Sequence, residues 1–373
     1  MTFNPRVAAI EPSLIRAIAA RKKPDSIDLG LGEPSLFPQQ RFIDAAARWT
    51  AEHGMRYTVN AGDPELRERI AAHYAYPGMA AARNVCMTTG SQEAVYVAIK
   101  TLLDPAADEV LVVTPAFPAY AKIAQLEGIA YRHLHLAEDQ DFRYDVERIL
   151  DALEPATRMI VIGSPSNPTG RILRDRQAQR LATGLLDRGG PPVWILQDEI
   201  YRELTYIDDP GYVANSYPFT VVANSLSKSN ALTGMRIGWL IAPDEAIEPL
   251  TKTHAWITST ANTFAQRVAY EIFTEPGALQ EQSAWYRAQR ALVEEALAAS
   301  GLRYVPIDGA FYVCVRLPGG GDSVAAALEL VERRGVVAIP GRIFGETLEG
   351  WLRLSWVSPI EQFSEGLRRI AAL

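Results

Sequence analysis

The chain has 373 residues, 48% of them hydrophobic and 22% charged. That composition excludes a disordered or fibrous protein and predicts roughly two domains, or one large domain with a satellite. With 37 Lys and Arg against 44 Asp and Glu, the formal charge is -7, so phosphate backbones and anionic membranes are repelled on average and nucleic acid is not an expected partner. Cys86 and Cys314 are the two cysteines, far apart and each inside an apolar stretch, which suits a reducing cytoplasm better than a cross-linked secreted fold. The apolar run after Arg6, Val7 to Ile10, is cut off by Glu11 and is too short for the core of a signal peptide, and nowhere do about 18 apolar residues run together, so neither a signal peptide nor a membrane span is expected.

In chain order, short apolar runs fall at Val85–Thr88, 110–113, 159–162, 193–196 and 220–223. Strands this apolar are buried on both faces. Stretches of helical periodicity separate them, such as 91–103 and 171–186, and the alternation predicts an α/β fold with a mostly parallel central sheet covered by helices on both faces. Gly238–Ile241 follows the last run after a very short gap and is expected to run antiparallel. Beyond about Pro243 long amphipathic helical stretches, roughly 266–300, precede a second group at 310–315, 323–334 and 352–356. This predicts a smaller α+β domain, joined by the N-terminal segment. The expected division is a large domain at 45–265 and a small domain from 1–44 with 266–373.

Ligands of open parallel sheets bind beyond the carboxyl ends of the strands, and the polar residues collect there. The runs lead in turn to Thr89-Gly90-Ser91-Gln92, to Pro115 through Tyr120, to Ser166-Asn167-Pro168-Thr169-Gly170, to Asp198-Glu199-Ile200-Tyr201, and to Ser225-Leu226-Ser227-Lys228 with Arg236 eight residues on. A lysine amine partly removed from water near other cations has a lowered pKa and condenses with an aldehyde. The helix start at Gly90, Ser91 and Gln92, the hydroxyls of Ser225 and Ser227 and the Arg236 guanidinium suit one phosphate group. Asp198 would keep a heteroaromatic nitrogen protonated, while Tyr201 and Asn167 hydrogen-bond a phenolate oxygen on the same ring. The ligand inferred is pyridoxal 5'-phosphate.

At these positions the sequence resembles the fold-type I, class I/II aminotransferases that use this cofactor. Ser225-Leu226-Ser227-Lys228 with Thr233 through Gly238 looks like the family's lysine signature and phosphate-binding arginine, and the Asn167 and Asp198 motifs match in order. The resemblance implies an amino group moved between an L-amino acid and a 2-oxo acid through a Schiff base on Lys228, with Lys228, Asp198 and Tyr201 catalytic. It implies phosphate contacts from Ser225, Arg236 and the Gly90-Ser91-Gln92 turn, and Phe117 stacked on the ring where the family more often has Tyr or Trp. Arg353 looks like the arginine that grips the substrate α-carboxylate, near Asn167 and the Gly32-Glu33-Pro34 loop. A homodimer follows from the resemblance, with Tyr57, and Asn262 more loosely, reaching the neighbouring site.

Blander readings compete. Asn167 precedes Pro168, as turn formers do, and Phe117 suits a core. His133 and His135 would share one face of a strand, but no acidic or thiol cluster supplies a third ligand, so an exposed strand pair is expected rather than a metal site. Arg21-Lys22-Lys23 reads as a solvated charge run. Ser225-Leu226-Ser227-Lys228 also satisfies the S-x-x-K pattern of serine acyl-enzyme hydrolases, although it follows a strand and has no later K-T-G. Gly30-Leu31-Gly32 lacks the third glycine and helix of a dinucleotide loop. Within the cofactor family, a carbon–sulfur β-lyase is the alternative to transamination.

Overall fold

The protein is described here from a computed structural model covering residues 3–373; Met1 and Thr2, part of the segment weighed as a signal peptide, lie outside the described residues. The strands are β1 (Ile27–Asp28), β2 (Val85–Thr88), β3 (Glu109–Thr114), β4 (Ala130–His135), β5 (Thr157–Gly163), β6 (Trp194–Asp198), β7 (Thr220–Ser225), β8 (Gly238–Ile241), β9 (Tyr312–Arg316), β10 (Val336–Val337), β11 (Ile339–Pro340) and β12 (Trp351–Ser355). Seven of them form one sheet in the order β2-β8-β7-β6-β5-β3-β4. Only β8 runs against the rest, pairing antiparallel with β2 and β7, while the other neighbours are parallel.

Alternate residues of the apolar runs go to opposite faces. Val110, Val112, Met159, Val161 and Leu196 pack with the helices Ser91–Leu102, Ala119–Glu127 and Asp244–Thr258. Leu111, Val113, Ile160, Ile162 and Ile195 pack with the helix Asp175–Asp187 on the other side. Each fully buried Val, Ile or Leu contributes about 1.5–3 kcal/mol, so neither face tolerates a polar strand residue cheaply. The edge strand β4 is exposed or half-buried along most of its length, which is why no apolar run marks it. It carries His133 and His135, whose ring centroids are 5.9 Å apart.

A second group of elements packs around Tyr286, Phe311, Trp356 and Phe363. It contains the antiparallel sheet β11-β12-β9 and the helices Ser283–Ser300, Ser323–Arg333 and Ile360–Ala371. The N-terminal segment enters it through β1, which pairs in parallel with β10 at Ile27↔Val336. The expected boundary at 265/266 falls inside the helix Thr263–Thr274, whose Ala265, Val268, Ala269 and Ile272 pack with Val222 and Trp239 of the large sheet. A turn with Gly277 at φ 81 divides the 266–300 stretch into two helices. Among the described residues, no helix is long and apolar enough to cross a membrane.

Candidate active site

A cavity of about 290 Å³ opens beyond the carboxyl ends of the parallel strands. Its lining includes Gly32, Ser91, Gln92, Phe117, Asn167, Asp198, Tyr201, Ser227, Lys228, Arg236 and Arg353. These come from segments far apart in sequence, brought together because each strand of the sheet ends on the same side.

The anion end is built on close backbone approach. Gly238 pairs with Thr88 on one side and Ser225 on the other, and a Cβ there would lie 2.6 Å from the Gly90 carbonyl carbon and the Ser91 nitrogen. Gly90 itself has φ 81, and a Cβ on it would sit 2.5 Å from Arg236 Nη2. The turn is therefore held against β8 with Arg236 alongside. The helix Ser91–Leu102 points its free N–H groups and positive dipole end into the same space. Arg236 is exposed and steadied by a 3.0 Å hydrogen bond from Nη1 to the Thr233 carbonyl.

Lys228 sits on the short helix Leu226–Ser229 that follows β7, and its Nζ donates to the Gly32 carbonyl at 2.6 Å. Burial pulls its pKa down to about 8; Arg353 and Arg236 push the same way, against the opposing charges of Glu33 and Asp198. Asp198 ends β6, is 7% exposed and makes no ion pair among the described residues. Burial pushes its carboxyl up to about 6, against the Tyr120 hydroxyl, which donates to Oδ2 at 2.7 Å, and the Ile200 N–H, which donates to Oδ1 at 3.1 Å. A buried carboxylate this short of positive charge is stabilised by any cationic ring nitrogen that reaches it.

Arg353 lies on β12, 3% exposed. Nη1 donates to Asn167 Oδ1 at 3.1 Å and Nη2 to the Gly30 carbonyl at 2.6 Å, and the guanidinium lies 4.4 Å from the Tyr312 ring centroid. Nε has no partner and, among the described residues, no carboxylate pairs with the group. A buried cation without an anion is costly unless a ligand supplies one. Tyr201 and Tyr312 join their hydroxyls at 2.9 Å, and burial raises the Tyr201 phenol well above its ordinary range.

Four anticipated residues stand apart from the cavity lining. Gly90 lies behind it as backbone support. Ser225 is 1% exposed and caps the helix Leu226–Ser229, its oxygen accepting from the Ser227 N–H at 2.9 Å and lying 2.6 Å from the Ile237 carbonyl. That burial also removes Ser225 as an acyl-enzyme nucleophile. Tyr57 is 87% exposed and projects from the surface. Asn262 caps the helix Thr263–Thr274 by accepting from the Ala265 N–H at 2.9 Å. The structure adds residues to which the sequence reading gave no role: Tyr120 on Asp198, Tyr312 under Arg353, Ile15 and Thr233 in the lining, and Glu33, which accepts from the Thr233 hydroxyl.

Residues 24–370 match the sequence profile of the family described as aminotransferase class I and II. The chain belongs to this family. Among its relatives, the aspartate aminotransferase of Pyrococcus horikoshii is 35% identical over 98% of this chain and 95% of the relative. A probable N-acetyl-LL-diaminopimelate aminotransferase of Bacillus subtilis is 34% identical over 99% and 94%. The Thermus thermophilus aspartate aminotransferase solved with maleate superposes with a TM-score of 0.91 at 30% identity, covering 100% of this chain and 99% of that one. This aminotransferase depends on pyridoxal 5'-phosphate and moves an amino group between an amino acid and a 2-oxo acid. The family assignment does not favour the β-lyase alternative. The donor set fits the cofactor: a cup whose two glycines leave no room for a Cβ, an arginine open to an anion, and a buried carboxylate with no cation of its own.

Proposed function

We propose that transamination in this protein is carried by Lys228, Asp198 and Tyr201, with Arg353 as the grip on the substrate α-carboxylate. The observation that carries this reading is the convergence of a lysine with a lowered pKa, a buried unpaired carboxylate and a buried unpaired guanidinium on one cavity. The bound cofactor supplies an electron sink that acidifies the hydrogen on the substrate α-carbon. Lys228 holds the cofactor and then moves the proton, its lowered pKa keeping part of the amine free near neutral pH. Asp198 holds the ring nitrogen protonated, Tyr201 and the free amide of Asn167 meet the ring oxygen, and Phe117 covers one ring face. Arg236, Ser91, Gln92 and Ser227 hold the phosphate, with Gly90 and Ser225 fixing the cup from behind. Gly32 and Asn167 close beside the carboxylate on Arg353.

The same reading divides the chain into a large cofactor domain and a smaller one built from both termini, and joins two copies as a homodimer. Tyr57, Met55, Val59 and Trp256 are apolar or aromatic side chains more than half exposed, which supports a covered face there, with Tyr57 and the Asn262 loop approaching the partner's site. Cytoplasmic location agrees with two buried, unpaired thiols whose pKa values burial pushes up to about 12. The activity is tested by incubation with amino donors and 2-oxoglutarate or pyruvate, and separately with cystathionine. Stoichiometric amino exchange supports the reading, whereas pyruvate and ammonia released without an acceptor contradict it. The dimer is tested by mixing Tyr57→Ala and Lys228→Ala chains: activity above that of either parent supports shared sites, and none contradicts them.

A further inference from the structure

We propose that the amino donor carries an uncharged, apolar side chain, and that Ile15 and Phe117 form the wall that receives it. This rests on the reading of Arg353 as the α-carboxylate grip. The cations lining the cavity are Lys228, Arg236 and Arg353. Each is committed: Lys228 to the cofactor aldehyde, Arg236 to its phosphate, and Arg353 to the first carboxylate of the substrate. An acidic donor brings a second carboxylate, and stripping water from that ion beside hydrocarbon is strongly unfavourable unless a cation or several donors meet it.

Among the described residues the rest of the wall adds no cation, and its Thr233 and Tyr312 hydroxyls are already hydrogen-bonded to Glu33 and Tyr201. Ile15, on the helix Leu14–Ala19, is half-buried and lines the cavity. Its helix packs against β11, where Ile339 pairs with Arg353, so the Ile15 side chain belongs to the end of the cavity next to the carboxylate grip. Phe117, half-buried, lines the same space from the sheet side. Glu33, whose charge reaches Lys228 and raises its pKa, would repel a second carboxylate, whereas the charge of Asp198 is taken up by the cofactor ring nitrogen. An aliphatic or aromatic side chain meets this wall with no charge to compensate.

The test uses the cofactor-loaded enzyme and carboxylic acids that lack an amino group, so that equilibrium binding rather than turnover is read. Calorimetric titration with 4-methylpentanoate and with maleate should give a dissociation constant at least about tenfold lower for the monocarboxylate, the scale on which an apolar pocket discriminates. Ile15→Ala should weaken 4-methylpentanoate about tenfold and leave maleate unchanged, while Ile15→Lys should reverse the order. Maleate binding as tightly as 4-methylpentanoate to the unaltered enzyme, for instance through a cation of the partner subunit, would overturn the proposal and needs no variant to be seen. Arg353→Lys separates the two levels. Weakening of both acids upholds the carboxylate grip whichever acid binds better, and no change in either removes the basis of the proposal.

Discussion

Cofactor-free protein should hold the Lys228 amine about one-tenth unprotonated at pH 7. Its pKa is lowered to about 8, chiefly because burial penalises the ammonium form. An ordinary lysine titrating near 10.4 is roughly 0.04% unprotonated at that pH, so the enrichment is about two-hundredfold. The assay is trace labelling with a dilute acylating reagent from pH 6 to pH 11, with labelled peptides quantified by mass spectrometry and the exposed Lys252 as internal reference. Labelling of Lys228 should reach half its maximum near pH 8, and the midpoint should fall in Glu33→Gln, because that carboxylate raises the pKa. Between about pH 8 and pH 10.5 the unfolded chain keeps the proton and the folded chain does not, so this group makes the folded state more stable as pH rises through that window. From 10.5 down to about 8, at 1.36 kcal/mol per unit, the contribution is at most about 3.4 kcal/mol, seen as a pH-dependent gap between wild type and Lys228→Met in denaturant unfolding. A labelling midpoint at or above pH 10 would refute the reasoning.

Asp198→Asn should slow turnover by several orders of magnitude while leaving the fold intact, and exchange of the substrate α-hydrogen for deuterium should slow with it. Tyr120→Phe removes a hydrogen bond to a buried carboxylate, an interaction of about 1.5–3 kcal/mol, so the Asp198 carboxyl should titrate about one to two units higher by carbon-13 NMR of the cofactor-free protein. Arg353→Lys keeps the charge but not the fork, and should lower kcat/KM about a hundredfold with the visible absorbance of the bound cofactor unchanged.

Which parts of the site were legible follows from how far apart in sequence their partners lie. The cup, the lysine and Asp198 each fall directly after an apolar run, because the sheet delivers strand ends to one place and local sequence is enough to find them. Tyr120 and Tyr312 act through side chains 78 and 111 residues away, on Asp198 and Tyr201, and nothing in their own neighbourhoods announces it. Tyr120 is foreshadowed only by lying three residues after Phe117, one helical turn on, with which it makes an edge contact at 5.9 Å. Ser225 shows the opposite limit: its place in the motif is evident, but whether it faces the cavity or caps the next helix depends on the pairing of β7 with β8. The edge strand β4 is marked in the sequence only by the His133 and His135 pair, and the stretch holding the helix Thr263–Thr274 reads as helical but as part of the small domain. The first is too exposed to carry an apolar signature, and the second is amphipathic like its neighbours, so only packing shows that it sides with the large sheet.

The proposed chemistry requires Lys228 to be the point of covalent attachment. Borohydride reduction of the cofactor-loaded enzyme, followed by proteolysis and mass spectrometry, reads that directly. The predicted result is a single pyridoxyl-modified peptide containing Lys228, absent when Lys228→Ala is treated in the same way. Modification at another lysine, or none in a protein that still transfers amino groups, would contradict it.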